Sequence, residues 1–353
     1  MRASISIGGA ASGRKSDWDA LVSYVQEAEK LGVDSVWSAE AWGQDAVTPL
    51  AFMAGQTSTI RLGSGIMQIS ARAPAMTAMT AMTLDSMSGG RFICGLGVSG
   101  PQVVEGLHGV SFDAPLARLR DTIAVLRLAF TGKKIVHESK TLTLPKPGGQ
   151  GKALRLAQPA TERIPIHLAT LAPGALRLTG ELADGWVGTS FTPEGADAHL
   201  DHLREGAASA GRTLDDIEIQ VPVGVEFGDR GELIPKRKPG TAFSLGAMGS
   251  ATTNYYNDAY SRGGWAEDAE RVRGLWVEGK RDEAAAAVPD EMIIRTNLLG
   301  SDDEVSDRLR AYRDAGVDLM RLDPQGETVD ERLAVLGRTV ELMKEISNEG
   351  ASP

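Results

Sequence analysis

Apolar positions recur along this chain at two alternating spacings, one typical of short strands and one typical of amphipathic helices. Residues 2–9 alternate weakly between apolar and polar. Six apolar positions then repeat at helical spacing up to Gly32, namely Trp18, Leu21, Val22, Val25, Ala28 and Leu31. These patterns predict a strand followed by a helix. Repeated units of this kind predict a parallel sheet with right-handed crossovers.

The unit repeats to the end of the chain. Strands are predicted at Ser35–Ser38, Arg61–Gln68, Arg91–Val98, Ile164–Ala169, Asp184–Gly188, Ile217–Phe227 and Val317–Leu322. Helices are predicted near Val47–Ser58 and at Pro74–Met87, Pro115–Phe130, Pro173–Ala183, Glu194–Ala210, Asp302–Ala315 and Val329–Ile346. Eight strands alternating with helices predict an α/β fold, a single (β/α)8 TIM barrel over residues 1–346.

Two segments interrupt this rhythm and are predicted to be insertions, at about 133–163 and 228–300. The first contains a predicted hairpin at Lys134–Leu144 and a Pro/Gly-rich loop at Pro145–Gly151. The second shows no strand rhythm. A segment of that length is expected to form its own helices and to cover an active-site entrance. Residues 347–353 are predicted to be a polar, frayed tail.

Composition narrows the function classes. The 353 residues carry a formal net charge of −10 and no long Lys/Arg cluster, which argues against a nucleic-acid surface. No apolar run approaches membrane-spanning length and no targeting pattern begins the chain, so a cytoplasmic protein is expected. The one cysteine, Cys94, excludes an internal disulfide, and its apolar strand predicts that it packs as a small hydrophobe.

The five histidines predict no zinc site, because none combines with acidic residues at ligand spacing. His199 and His202 lie in a polar helix and are predicted to be solvated. His167 lies among apolar neighbours and is predicted to be a hydrogen-bonded core residue. Hydrolase and kinase signatures, the Gly-x-Ser-x-Gly elbow and the phosphate-binding P-loop, are missing from the sequence.

Three segments at predicted strand ends stand out: Arg61-Leu-Gly-Ser-Gly-Ile-Met-Gln-Ile-Ser-Ala-Arg-Ala-Pro-Ala75, Val36-Trp-Ser-Ala-Glu-Ala-Trp42 and Gly95-Leu-Gly-Val-Ser-Gly-Pro-Gln102. Glycines at Gly63 and Gly65 would let a flat ligand approach the backbone. Taken alone, such a segment also fits an ordinary strand end with flexible glycines.

Together with Ala169-Thr-Leu-Ala-Pro-Gly174, these segments resemble, in content and order, the bacterial-luciferase-like flavin and deazaflavin oxidoreductases. The resemblance spans nearly the whole chain. It implies a non-proline cis peptide at Gly65–Ile66 that supports the middle cofactor ring, with Gln68 as a hydrogen-bond donor nearby. It also implies that the cofactor contacts a small-residue loop and a helix start that favours its phosphate, formed by Val98, Ser99, Gly100, Thr170, Leu171 and Ala172.

The end of the second strand contributes Ala39, Glu40 and Trp42, and the resemblance implies that Ala39 and Glu40 contact the cofactor and that Glu40 and Trp42 are catalytic. Relatives place a histidine after the acidic residue, where this chain has Ala41. The alternative for Glu40 is a carboxylate that caps a turn or pairs with an arginine. Arg72 is a candidate for binding an anionic group of cofactor or substrate, or for a salt bridge at the barrel rim.

The resemblance is strongest to the actinobacterial branch that uses coenzyme F420, which implies hydride transfer between F420 and a small organic substrate, and a homodimer. Alternatives are an FMN-dependent monooxygenase of the same fold, or a flavin-binding or sensory protein without turnover, which Ala41 favours. An isomerase on a generic barrel is a weaker possibility.

Overall fold

Eight parallel strands form a closed barrel in the part of the chain that the computed structural model describes, residues 1–7, 14–161, 163–249 and 254–349. The barrel strands are β1 (Arg2–Ser6), β2 (Ser35–Ser38), β3 (Arg61–Ser64), β4 (Phe92–Gly97), β5 (Ile166–Ala169), β6 (Gly185–Val187), β7 (Glu218–Phe227) and β8 (Leu319–Pro324). Each pairs in parallel with the next, and β8 pairs with β1. The predicted (β/α)8 barrel is confirmed.

Helices surround the barrel. They are α1 (Lys15–Leu31), α2 (Val47–Ala54), α3 (Pro74–Ser88), α4 (Pro101–Gly106), α5 (Pro115–Phe130), α6 (Pro173–Leu182), α7 (Asp197–Ser209), α8 (Arg230–Gly246), α9 (Tyr255–Tyr260), α10 (Ala266–Val277), α11 (Arg281–Ala286), α12 (Asp290–Thr296), α13 (Asp302–Asp314) and α14 (Val329–Glu349). Short 3-10 turns occupy Pro193–Gly195 and Leu214–Asp216, and a π-helical turn occupies Ser261–Trp265.

Alternation along the strands divides the core into two parts. Outward side chains such as Ile5 and Val36 pack against the helices in the main core, whereas Trp37 packs inside the barrel. A Cβ on Gly63 would lie 2.4 Å from the Trp37 indole. The prediction that Gly63 admits a flat ligand is therefore wrong, because its missing side chain makes room for this ring.

Several element boundaries differ from the predictions. The predicted strand Arg61–Gln68 is interrupted, since β3 ends at Ser64 and a separate short strand, Met67–Gln68, pairs with β4. The short helix α4 follows β4 without having been predicted. Helix α14 continues to Glu349, so the start of the predicted frayed tail is helical. Residues 350–353, and Gly8 and Gly9 after β1, lie outside the described residues.

The two interruptions contain the structures expected of them, with one exception. His137–Glu138 pairs antiparallel with Thr143–Leu144, which confirms the hairpin. Helices α8 to α12 fill most of 228–300 and share a core of their own, which includes Leu245 and Met292. The exception is Asn297–Gly300, a strand that pairs with β7. This strand directly follows α12 with no turn residue between them, so the sequence does not mark where it begins.

The amino-terminal end of the barrel is closed by ion pairs between inward-facing side chains. Arg2 of β1 and Arg61 of β3 both contact Asp34 and Glu218. Each of these two arginines therefore has carboxylate partners, and this network fills the barrel end opposite the carboxyl ends of the strands.

Two predictions about isolated residues have different outcomes. Cys94 is buried, and burial raises the pKa of its thiol to about 12, which confirms the packing interpretation. The prediction for His199 is wrong: it is 1% exposed and packs against Trp186 and Phe191. Helix α7 turns this residue toward the barrel, and burial lowers the pKa of its imidazole to about 4.

His167 is also a core residue. Its Nε2 lies 3.7 Å from a Glu218 oxygen and its Nδ1 has no partner, so the predicted core position is confirmed without the predicted hydrogen bond. Within the described ranges, no group of three or more His, Cys, Asp or Glu side chains could hold a metal ion. No helix in that part of the chain is long and apolar enough to cross a membrane.

Candidate active site

The predicted site residues lie at the carboxyl ends of four neighbouring strands, which we call the barrel mouth. Ala39 and Glu40 follow β2, and Gly65, Ile66 and Gln68 follow β3. Val98, Ser99 and Gly100 follow β4, and Thr170, Leu171 and Ala172 follow β5. Parallel strands end at one edge of the sheet, so the barrel brings all of these segments to the same face.

Glu40 and Arg72 form a two-point ion pair at this mouth. The Arg72 guanidinium donates to both carboxylate oxygens, over 2.6 and 2.7 Å. The amides of Gln68 and Ala46 donate to the same two oxygens, over 3.1 and 3.3 Å. The pair is well shielded, since the side chains of Glu40 and Arg72 are 9% and 18% exposed. Arg72 is thus engaged in the salt bridge that the sequence offered as its alternative role.

These contacts determine the charge of Glu40. Burial alone would raise its pKa, but the Arg72 guanidinium and the amides of Gln68 and Ala46 outweigh burial and lower the pKa below its ordinary value of 4.5. Glu40 is therefore a carboxylate at neutral pH, with both oxygens already accepting hydrogen bonds. Such a group can orient its neighbours but has no proton to give.

Gln68 connects the ends of β2 and β3. Its side-chain amide donates to the carbonyls of Glu40 and Ala41, over 3.1 and 3.2 Å, and its oxygen lies 3.2 Å from Nε2 of His108. The side chain is 1% exposed. The Gln68 side-chain amide, which was expected to donate to the cofactor, therefore donates within the protein. It holds together the loops that follow β2 and β3.

The Gly65–Ile66 peptide bond is cis, as the sequence resemblance implies. Ile66 packs on the next strand, where a Cβ on Gly97 would lie 2.9 Å from the Ile66 side chain. A Cβ on Gly65 would lie 3.4 Å from Nη1 of Arg321 and 3.4 Å from the Trp37 ring. Gly65 is thus directed into the barrel, toward a cation that sequence analysis did not select.

The end of β4 contains an unusual backbone conformation. Ser99 has a φ of +60°, in the left-handed region that non-glycine residues rarely adopt. Gly100 follows it as the N-cap residue of α4. Conformations of this kind concentrate at ligand-binding sites. Because β4 pairs with both β3 and β5, this segment follows the strand that lies between those two strand ends.

The end of β5 leads directly into α6, which has Ala172 as its N-cap residue and Pro173 as its first helical residue. The carbonyl of Thr170 accepts a hydrogen bond from the Trp186 indole over 2.9 Å, and the carbonyl of Leu171 accepts one from Arg262 over 2.7 Å. Arg262 therefore adds a positive charge beside a helix start that already favours anions.

Sequence analysis missed three residues of this mouth. Arg262 belongs to the π-helical turn inside the 228–300 insertion, and no local pattern links it to a segment 91 residues earlier. Arg321, unlike Arg262, could have been found from the sequence, because its alternation with the apolar residues of β8 places it inside the barrel. Ser190, with a φ of +51°, follows β6 and could have been found by its position at a strand end.

Trp42 and Ala39 lie where solvent reaches the mouth. The Trp42 side chain is 66% exposed, on the loop that follows β2. A large exposed indole at a barrel mouth is a suitable contact surface for a flat molecule.

Comparison with known proteins identifies the family of this chain. The model of the luciferase-like monooxygenase family matches residues 3–319. A Mycobacterium tuberculosis protein named as a putative coenzyme F420-dependent oxidoreductase is 40% identical over 305 residues, 84% of this chain and 88% of that protein. The 5,10-methylenetetrahydromethanopterin reductase of Archaeoglobus fulgidus is 26% identical over 331 residues, 90% of this chain and 93% of that protein.

A solved structure agrees with the fold. The coenzyme F420-dependent tetrahydromethanopterin reductase of Methanopyrus kandleri superimposes with a TM-score of 0.76 at 23% identity, over 96% of this chain and 98% of that one. The family match, the sequence relatives and the closed barrel all agree. This chain belongs to the luciferase-like monooxygenase family.

Proposed function

We propose that this protein is an oxidoreductase that uses coenzyme F420 to transfer a hydride to or from a small organic substrate. The observation that carries the proposal is the 40% identity, over 84% of the chain, with a relative whose name specifies F420. An FMN-dependent monooxygenase is the alternative, because a similar ring and phosphate arm would fit the same strand ends. It is less favoured, because the name of this relative specifies F420.

We place the cofactor by the strand-end segments that form the barrel mouth. Its ring lies against Gly65 and Ile66, and its anionic arm extends past Ser99 to the start of α6. Amides at a helix start favour anions, and Arg262 supplies a local positive charge despite the net charge of −10. F420 supplies the hydride chemistry when bound, and the protein binds it, orients it and excludes water.

Glu40 is proposed to act as an orienting acceptor rather than as a proton carrier. Its lowered pKa and its four hydrogen-bond donors support this choice. Through Gln68 and Arg72 it holds the loops after β2 and β3 at the ring position. Trp42 is proposed to contact the substrate from the solvent side of the mouth, because its indole is exposed there.

Anaerobic titration of the purified protein with F420 and with FMN tests the cofactor assignment. F420 is expected to bind at least about tenfold more tightly, which corresponds to 1.4 kcal/mol, as measured by the change in absorbance of each cofactor. Tighter binding of FMN would favour the monooxygenase alternative, and failure of both to bind would contradict the proposed function.

We also propose that the protein is a homodimer through the faces of α2 and α3. These neighbouring helices expose Phe52, Met76, Met79 and Met87, a set of apolar side chains that a second copy would cover. Light scattering is expected to give twice the 37.4 kDa chain mass. The substitution Met79→Glu is expected to shift the protein toward monomer; a monomeric wild-type protein would refute the interface.

A further inference from the structure

Arg321 lies inside the barrel near its mouth. It is on the inner face of β8, in register with Ser4 of β1 and Pro222 of β7. Its Nη1 is 3.4 Å from the point where a Cβ on Gly65 would lie, and the Trp37 ring is equally close to that point. The guanidinium therefore extends across the barrel above Trp37, toward the end of β3.

Three arginines face the barrel interior, and they differ in their partners. Arg2 and Arg61, at the amino-terminal end, share Asp34 and Glu218. By contrast, among the described residues no carboxylate oxygen lies within 4.0 Å of Arg321, and its side chain makes no hydrogen bond there. Among the described residues, Arg2 and Arg61 are therefore paired at one end of the barrel, and Arg321 has no carboxylate partner at the other.

Neighbouring acidic and polar groups do not supply the missing partner. Asp323 is two residues along the same face, but its Oδ2 accepts a hydrogen bond from Gln325. Tyr256, from the helical insertion, is close enough for the charge of Arg321 to lower its pKa against the larger effect of burial, which raises it. On β7, the buried side chain of Gln220, on the same inner face, has no partner for either of its polar atoms.

Arg321 is a half-buried cation that has no carboxylate partner among the described residues. Burial lowers the pKa of Arg321 to about 10, while Tyr256 and Asp323 act to raise it, so the guanidinium remains charged at neutral pH. A desolvated charge is unfavourable until an opposite charge or strong acceptors reach it. A planar guanidinium is best matched by a carboxylate, which can accept two parallel hydrogen bonds.

We infer that Arg321 is the substrate-binding cation of this mouth and that the substrate carries a carboxylate or a comparable acidic oxygen group. The inference rests on the proposed function in treating the ligand as the substrate of an oxidoreductase. It places the acid group at the end of β8, whereas the cofactor arm is proposed to bind at the end of β5 beside Arg262. Arg72 does not compete for this role, because Glu40 occupies it.

Calorimetric titration tests the inference with acetate, benzoate and cinnamate and with the three corresponding amides, with and without F420. At least one carboxylate is expected to bind at least about tenfold more tightly than its amide, a difference of 1.4 kcal/mol. Arg321→Met is expected to remove this preference and Arg321→Lys to retain part of it. The control Arg204→Met removes an exposed arginine on α7 that pairs with Asp201 and should leave the preference unchanged.

The melting temperature of Arg321→Met distinguishes a binding role of Arg321 from a structural one, because loss of a structural contact would lower it. Arg321→Met is expected to melt no lower than the wild type without ligand, because it removes an unpaired charge. Equal binding of carboxylates and amides, no binding of any carboxylate, or a preference retained in Arg321→Met would overturn the inference. If Arg321→Met loses F420 binding but keeps carboxylate binding, the inference is also overturned. The proposed function would then still stand. If neither cofactor binds while the carboxylate preference persists, the proposed function fails and the anion site remains.

Discussion

Replacing Ala172 by aspartate is expected to raise the dissociation constant for F420 by at least about tenfold, or 1.4 kcal/mol. Ala172 is the N-cap residue of α6, and its carbonyl accepts hydrogen bonds from the amides of Ala175 and Leu176, each over 2.9 Å. A carboxylate there would face the anionic arm that we place on this helix start. Like charges about 4 Å apart repel by roughly 4 kcal/mol near a protein surface, so tenfold is a lower limit.

The same substitution should not harm folding, which separates the two effects. Ala172 makes no side-chain cap, and aspartate is among the preferred residues at a helix start. Melting temperature is therefore expected to stay constant or to rise. Ala172→Asn is the matched control, because it has nearly the same shape and also caps the helix but adds no charge. Equal F420 affinity in the Asp and Asn variants would move the anionic arm to another part of the mouth.

Replacing Glu40 by glutamine is expected to destabilise the protein by about 1–3 kcal/mol at neutral pH. The substitution leaves Arg72 charged, shielded and without its carboxylate, and breaking a fully buried pair costs about 3–5 kcal/mol. We expect less because 18% of the Arg72 side chain is exposed. The free energy of unfolding, measured by urea denaturation, checks this value.

An exposed ion pair of the same geometry provides the control. Arg120 donates to both carboxylate oxygens of Glu181, each over 2.6 Å, but the two side chains are 49% and 31% exposed. Glu181→Gln is therefore expected to cost less than about 1 kcal/mol. Equal losses in the two variants would show that shielding at the mouth contributes nothing.

The effect of Glu40 should also depend on pH in a defined direction. Its pKa in the folded protein is below the ordinary value of 4.5, so its contribution is fully present above that value and is lost as pH falls through the folded pKa. The difference in stability between wild type and Glu40→Gln is expected to narrow over this acidic range. A difference independent of pH would indicate that the carboxylate charge is not what stabilises the pair.

Kinetics of Glu40→Gln test the proposed orienting role of Glu40 against a role on the substrate side of the reaction. If Glu40 orients the loops that hold the ring, F420 affinity and kcat should fall together, because Gln68 and Arg72 lose a common anchor. A lower kcat with unchanged F420 affinity would instead assign Glu40 to the substrate side of the reaction. Wild-type values for both would make the residue purely structural.

The barrel could be predicted from the sequence because its determinants are local. Each strand and helix has its own hydrophobic period, so the order of elements and the eight-strand count follow from spacing within short windows. Gly65–Ile66, Ser99 and Ala172 were selected through the family resemblance, and the predicted strand ends on which they lie placed them on one face. Cys94 likewise follows from the apolar strand around it.

What only the tertiary structure decided is which distant groups meet. Glu40 and Arg72 are 32 residues apart, and Leu171 and Arg262 are 91 residues apart, distances over which periodicity carries no information. Burial of His199 depends on which side of α7 faces the barrel. The lack of a carboxylate partner for Arg321 among the described residues depends on where distant segments place their carboxylates. By itself, the sequence therefore determined the scaffold and the strand ends that form the mouth. Long-range packing decided the charge of each group within that mouth. The pKa of a side chain and its ion pairs depend on neighbours that are distant in sequence and that folding brings together.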